Sequence, residues 1–260
     1  MSSANQSAAQ SPPLEILCED GPVIAVNKPA GIVVQGAPAG VDNLADLVRQ
    51  YLKRKYDKPG NVYLGVPHRL DRPVTGVVIF SRNSKCAARL SEQFAARQVE
   101  KTYRAILERP PQPADGTLVD WLLRTEEDDP SDVLKFYGPK VSVVSEATAG
   151  AKPAVLHYQT LATSQGRALV QIHLETGRMH QIRVQFASRG CPILGDTQYG
   201  AHLFWDDRTV RAATPSDETR FHPIALHAWR LKLQHPVRYD DLTITAASPA
   251  NWSQLGFPGD

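Results

Sequence analysis

In "RALVQIHLE" (167–175) apolar and polar residues take turns, so Ala168, Val170, Ile172 and Leu174 fall on one face of a strand. "EKTYRAILE" (100–108) alternates in the same way, with Lys101, Tyr103, Ala105 and Leu107 sharing a face. A short β-branched strand opens "PVIAVNKPAGIVVQG" (22–36), followed by a Lys-Pro-Ala-Gly turn and a second apolar piece. "GVVIF" (76–80) predicts a buried strand, and further strands are expected at 141–147, 153–162, 227–234 and 241–246.

Three stretches switch to helical period. "NLADLVRQYLKRKY" (43–56) places Leu44, Leu47, Val48 and Leu52 together, with Asn43 as its cap. "SKCAARLSEQFAARQ" (84–98) does the same with Ala87, Leu90 and Phe94, and Ser84 is expected at its cap. "GRMHQIRVQFASRG" (177–190) puts Met179, Ile182 and Phe186 on one face, His180, Arg183 and Ala187 on a neighbouring stripe, and Gly190 at the stop. Runs of strands with few helices and no strict βαβ alternation predict an α+β fold with a mixed or antiparallel sheet. No repeat or linker divides the chain, so residues 15–250 are expected as one domain. A disordered tail (1–14) precedes it and a C-terminal tail (251–260) follows. The acidic 124–139 stretch reads as a surface excursion.

Composition changes this picture little. Of 260 residues 42% are hydrophobic and 22% charged, ordinary for a folded soluble protein. No apolar run approaches the roughly 20 residues a membrane helix needs. The N-terminus, "MSSANQSAAQSPP", lacks the apolar core of a secretory signal. Cys18, Cys86 and Cys191 form no C-x-x-C pair and suit a reducing cytoplasm. The net charge of +2 conceals a partition: residues 45–109 carry 14 Lys and Arg against 6 Asp and Glu. Residues 115–132 carry seven acids against Arg124 alone. A basic stretch of this kind suits a polyanion, or simply a solvated helix face.

Several chemistries lack their motifs. The chain has no phosphate-binding G-x-x-x-x-G-K-[ST] loop, no G-x-G-x-x-G, no G-x-S-x-G elbow and no H-E-x-x-H. His222, His227 and His235 are the right residue type for a metal, but histidines near strands are more often satisfied polar groups, and no metal is expected. Cys191 has no nearby histidine to make it a nucleophile. What remains is Asp71 in "GVPHRLDRPVTGVVIF" (65–80). Arg69 and Arg72 flank it, Pro73 and Gly76 stiffen and turn the chain, and a tyrosine lies elsewhere on a strand.

"HRLDRPVTG" (68–76) resembles the signature of the RluA-type family of RNA pseudouridine synthases, in which this aspartate is catalytic. "NKPAG" (27–31), "LSEQFAARQVEKTYRAIL" (90–107), "LETGRMHQIRVQFASRGCPILGDTQYG" (174–200) and "HPIALHAWRLKLQHP" (222–236) are similar to four further family blocks, in the family's order. The resemblance covers about residues 15–247. It implies a mixed, largely antiparallel sheet in two halves, with flanking helices and a central cleft holding the aspartate. Many relatives carry an N-terminal S4 RNA-binding module; about a dozen polar residues precede the domain here, and that module is expected to be absent.

By the same resemblance Asp71 is the catalytic carboxylate, attacking ribose C1′ or taking a proton from C2′. An arginine within about 4–6 Å favours an ionised carboxylate. Arg183, arriving from a separate helix, is the expected partner. Tyr103 stacks on the uracil and assists proton loss from C5, and Ile182 packs on the opposite side of the base. Arg69 enters the gap left by the flipped nucleotide. His68 orders the loop by a hydrogen bond. Lys28, Lys101 and Arg178 are expected at phosphates, and Arg72 joins the RNA-binding set. The implied partner is structured ribosomal or transfer RNA, with no cofactor, no metal, no membrane and a monomeric enzyme. A non-catalytic RNA-binding protein on the same scaffold is the alternative. A carboxylate-dependent hydrolase needs a second acid, for which Glu175 and Asp196 are poorly placed. The basic stretch predicts RNA affinity that falls steeply between low and high salt; a flat binding curve across ionic strengths contradicts a phosphate-tracking surface.

Overall fold

A computed structural model describes residues 14–38, 41–125, 140–205, 209–214 and 222–257. Strands β1 (Glu15–Asp20), β2 (Val23–Lys28), β3 (Thr75–Ser81) and β4 (Glu100–Leu107) come first, with β5 (Asp115–Thr125), β6 (Lys140–Val144), β7 (Lys152–Ser164) and β8 (Arg167–Leu174) following. A small hairpin, β9 (Leu203–Trp205) and β10 (Val210–Ala212), precedes β11 (Leu226–Gln234) and β12 (Asp241–Thr245). Ten of these form one sheet in the order β1-β2-β3-β11-β4-β8-β7-β5-β6, with β12 beside β11. Every pairing is antiparallel except β3 with β11, so the α+β, largely antiparallel expectation holds.

The uninterrupted apolar runs of β2 and β3 have a physical reason. Ile24, Val26, Val78 and Phe80 enter the main core, while Val23, Ala25, Val77 and Ile79 enter a second core on the other face. Both faces are covered, so neither strand needs a polar side. Helix α1 (Leu44–Lys55) buries Leu44, Ala45, Val48 and Leu52, and the Asp46 amide donates to the Asn43 side chain at its start.

Helix α2 (Ser84–Ala95) is capped by Asn83 rather than Ser84. The Asn83 Oδ1 accepts the Cys86 amide at 2.9 Å, a reach of three residues that Ser84, already helical, does not have. Helix α3 (Gln181–Ala187) is shorter than the periodicity of 177–190 predicts. His180 adopts a left-handed backbone, φ 51°, which prevents the helix from starting earlier. Met179 therefore sits in a turn, 41% exposed, and not on the buried face with Ile182 and Phe186.

Four elements were not legible from periodicity: β1, β5 and the β9–β10 hairpin. β5 overlaps the acidic run yet is an eleven-residue strand between β7 and β6, and its Asp120 carboxylate accepts from Gln185 and Arg189 of the α3 region. The rest of the expected excursion, 126–139, and residues 1–13 of the expected tail lie outside the described residues. The expected C-terminal tail is corrected. Trp252, Leu255 and Phe257 pack into the main core, and residues 250–255 form a 3-10 turn.

β11 organises the middle of the sheet. Along one edge it pairs first with β3, through His227–Thr75 and Ala228–Gly76, and then with β12 from Arg230 onward. The sheet forks there. Gly76, with φ +114°, lies so close to β11 that a Cβ on it would meet Ala228 backbone atoms at 2.3–2.8 Å. It is a close-approach glycine within a strand, not the turn residue the sequence suggests.

His227 secures this fork. Its Nε2 lies 3.2 Å from the Ala246 carbonyl, which can only accept, so Nδ1 accepts the Thr75 hydroxyl at 2.7 Å. Burial pushes the imidazole down to about 4. Below pH of about 6.5 the unfolded chain takes up a proton that the folded one refuses, so stability falls with pH by about 1.4 kcal/mol per unit from this group until about 4. Urea unfolding at pH 7 and pH 5 should show a loss of about 2 kcal/mol from this group, and His227→Gln should flatten that dependence.

Candidate active site

The loop between residues 68 and 74 is tied down by main-chain contacts on every side. His68 Nε2 accepts the Ile79 amide at 3.0 Å while its ring stacks on Phe94 at 4.5 Å. Burial pushes that imidazole down to about 3, so it remains a neutral acceptor. His68 thus orders the loop through a hydrogen bond, as the sequence leads one to expect. Arg72 donates from Nε to the Gly31 carbonyl at 2.7 Å, and the Gly31 amide returns a bond to the Arg72 carbonyl at 2.9 Å. The Ile224 amide donates to the Pro73 carbonyl at 3.2 Å.

Lys28 is the strongest of these clamps. Its Nζ donates to the carbonyls of Pro29, Arg72 and Val74 at 2.8, 3.0 and 2.8 Å, one for each N–H, and the side chain is fully buried. Burial pushes the ammonium down to about 7, with the Asp71 carboxylate acting the other way. A phosphate cannot reach it. The expected phosphate contact is corrected to a buried stitch joining "NKPAG" to the "HRLDRPV" loop.

Asp71 projects from this loop with its side chain 29% exposed. Arg183 Nη1 approaches its Oδ2 at 3.3 Å, as the sequence predicts, from a guanidinium only 2% exposed. The same guanidinium is forked onto Asp196, Nε to Oδ2 at 2.7 Å and Nη2 to Oδ1 at 2.8 Å, and Nη2 also donates to Gln198 at 2.8 Å. Burial works against its charge, but Asp196 and then Asp71 outweigh burial and hold the proton more firmly than usual. Asp196 is fully buried and serves Arg183; it is not a second carboxylate for hydrolysis.

Tyr103 is half-buried on β4 against the main core. Burial pushes its phenol well above the ordinary range, and the Asp71 charge adds to that push. Ile182, 4% exposed, belongs to the same core. Arg69 is exposed. Lys101 extends to within 3.3 Å of where a Cβ on Gly177 would stand, and burial followed by Arg97 lowers its ammonium. Arg178 donates from Nε to the Pro153 carbonyl at 3.0 Å.

Two residues at the carboxylate escaped the sequence reading. His180 Nε2 lies 3.6 Å from Asp71 Oδ2, and its Nδ1 lies 2.7 Å from the Tyr199 hydroxyl. The Tyr199 ring also lies 4.9 Å from the Arg183 guanidinium. His180 was visible as a member of a helical stripe, but its left-handed backbone is what aims it, and periodicity carries no trace of that.

Residues 22–188 match the RNA pseudouridylate synthase family. The ribosomal large subunit pseudouridine synthase D of Zymomonas mobilis subsp. mobilis is 32% identical over 95% of this chain and 73% of its own length. The chain belongs to that family. A tRNA pseudouridine synthase C of Yersinia pestis is 34% identical over 95% of this chain and 92% of its own. The solved structure of human RNA pseudouridylate synthase domain containing 4 has a TM-score of 0.70 at 25% identity, with 94% of each chain covered. Human RNA pseudouridylate synthase domain containing 1 shares the fold, with a TM-score of 0.64. The protein is an RNA pseudouridine synthase, an isomerase.

Removing the Lys28 ammonium leaves three carbonyls of the synthase's loop without their donor. Lys28→Ala should cost about 3 kcal/mol or more in urea unfolding and leave the salt slope of RNA binding unchanged. A reduced salt slope at unchanged stability would restore the phosphate role.

Proposed function

We propose that the synthase isomerises uridine in structured ribosomal or transfer RNA with Asp71 as its catalytic carboxylate. The observation carrying this is the half-open Asp71 side chain, held from the far side of the fold by Arg183 at 3.3 Å. The names of relatives specify both large-subunit ribosomal RNA and transfer RNA as substrates, which supports that pair of RNA classes. The uracil N1–C1′ bond breaks and a C5–C1′ bond forms, while C5 gives up a proton and N1 gains one. Atoms and electrons balance within the nucleotide, so the reaction needs no co-substrate.

An ionised carboxylate can begin this in two ways, by attack on C1′ or by removal of the C2′ proton. Arg183 stands beside it with a positive charge in both. Tyr103, half-buried and electrostatically coupled to Asp71, is suited to lie along the uracil face; its unionised phenol at neutral pH can hand on the C5 proton only through its hydroxyl oxygen. Ile182 supports the base from the core side. Arg69, exposed beside the clamped loop, is free to stack in the gap left by the everted uridine, offsetting part of the few kcal/mol of unstacking. Lys101 and Arg178 flank the Gly177 turn and suit the RNA backbone. We read the enzyme as a cytoplasmic monomer, and its three free cysteines suit that compartment.

Asp71→Asn should abolish pseudouridine formation on total RNA from cells lacking this gene, while thermal unfolding and RNA affinity stay close to wild type. Arg183 retains Asp196 as its fork partner, so the fold should tolerate the change. Turnover by that variant overturns the assignment of Asp71.

A further inference from the structure

His180 is held in the left-handed region, a backbone that is costly for a residue other than glycine. A side chain kept there at such a cost is over-determined by its surroundings. Both ring nitrogens have a polar partner. The Tyr199 oxygen already accepts the Val141 amide at 3.1 Å, so its own proton is available to His180 Nδ1 at 2.7 Å. That arrangement selects the neutral imidazole with its proton on Nε2, the nitrogen facing Asp71 at 3.6 Å. Burial, the largest influence on this imidazole, lowers its proton affinity, with Asp71 acting in the opposite direction.

The two side chains that approach Asp71 do so at the same atom. Arg183 Nη1 and His180 Nε2 both approach Oδ2, and among the described residues no hydrogen bond is made to Oδ1. The carboxylate is thereby divided into a held oxygen and an open one. We propose that His180, oriented by Tyr199, is a positioning residue that joins Arg183 in holding Oδ2 and so presents Oδ1 to the ribose as the reacting oxygen. The proposal rests on Asp71 being the catalytic carboxylate and adds no bond-making step: Oδ1 either attacks C1′ as the electron pair of the N1–C1′ bond leaves with uracil, or takes the C2′ proton. At 3.6 Å the His180 contact is electrostatic; it shortens to a hydrogen bond when substrate closes over the site, as catalytic contacts in unliganded enzymes commonly do.

A purely structural His180–Tyr199 pair, gluing α3 to β6, makes a different set of expectations. His180→Asn keeps a residue that tolerates the left-handed backbone but is too short to reach Asp71. His180→Gln restores an N–H at nearly the imidazole's length, and Tyr199→Phe keeps the ring beside Arg183 while removing the hydroxyl. Two measurements are made. Nitrogen-15 NMR of the free protein reads the His180 tautomer, expected with the proton on Nε2 in the wild type and mixed in Tyr199→Phe. Single-turnover rates with excess enzyme, on total RNA from cells lacking the gene, are then followed against enzyme concentration.

His180→Asn should lower the saturating rate about tenfold or more, with half-saturation changed less than about twofold. His180→Gln should recover most of that rate. An Nδ1-protonated ring in the wild type overturns the proposal. So does a His180→Asn enzyme whose rate falls only in proportion to its folded fraction. If the wild type itself makes no pseudouridine, the reading of Asp71 fails and the role fails with it, an outcome distinct from variants that match an active wild type.

Discussion

Arg183 serves two carboxylates with one guanidinium, and the inequality between them shapes the site. Its fork is committed to Asp196 at 2.7 and 2.8 Å, with both groups buried. A guanidinium taken out of water alone costs several kcal/mol, and the fork offsets that cost without drawing on Asp71. The remaining Nη1 can then make a longer contact, 3.3 Å, with an acid that stays partly exposed. Had Asp71 been the only counter-ion, a tight bidentate pair would have covered both of its oxygens. Lys28 adds a second buried basic group, held on the carbonyls of the loop that carries Asp71.

This ion pair also joins the two parts of the sheet. Asp71 precedes β3, whose position is set by β2 and by the close approach of Gly76 to Ala228. Arg183 comes from α3, where Val184 packs with Leu122 of β5, Val141 of β6 and Ala154 of β7. Asp120 fastens the same helix from β5 through Gln185 and Arg189. The 3.3 Å contact is therefore sensitive to the register of β11, which touches β3 for two residues and then passes to β12. A side chain at position 76 would push β3 away and carry Asp71 with it.

What the sequence reveals follows from which signals are local. β4 and β8 alternate because one face is buried, and α1 repeats at helical spacing for the same reason. β5 was missed because Val119 is 60% exposed and acids at 115 and 120 break the alternation that Leu118 and Leu122 begin. β1 is an edge strand with no fully buried residue and a bulge between Ile16 and Cys18, so it has almost no pattern to show. In the site, Asp71 and Arg183 were legible through motif resemblance. Lys28 was misread because a lysine's burial depends on three carbonyls, two of them more than forty residues away, and nothing in "NKPAG" announces them. Asp196 escapes notice for a related reason: among the described residues its side chain bonds to an arginine thirteen positions earlier.

A carboxylate on a loop between strands is ordinarily a mobile one, since loops have few fixed contacts. Here the contacts that immobilise the loop spare the side chains used at the site. Lys28 binds the carbonyls of Arg72 and Val74, Ile224 binds that of Pro73, and Gly31 that of Arg72. His68 gives up its side chain to the Ile79 amide, and Arg72 gives its Nε to Gly31. Between those two clamps stand Arg69 and Asp71, the residues whose side chains point to no anchoring task in the loop itself. Fixing the peptide chain through its own carbonyls leaves the functional groups free while denying the backbone its usual freedom. That is why a basic motif can hold a single acid in place without consuming it in a neighbouring salt bridge: the nearby arginine at 72 is occupied with Gly31, and the charge that Asp71 meets comes from across the fold.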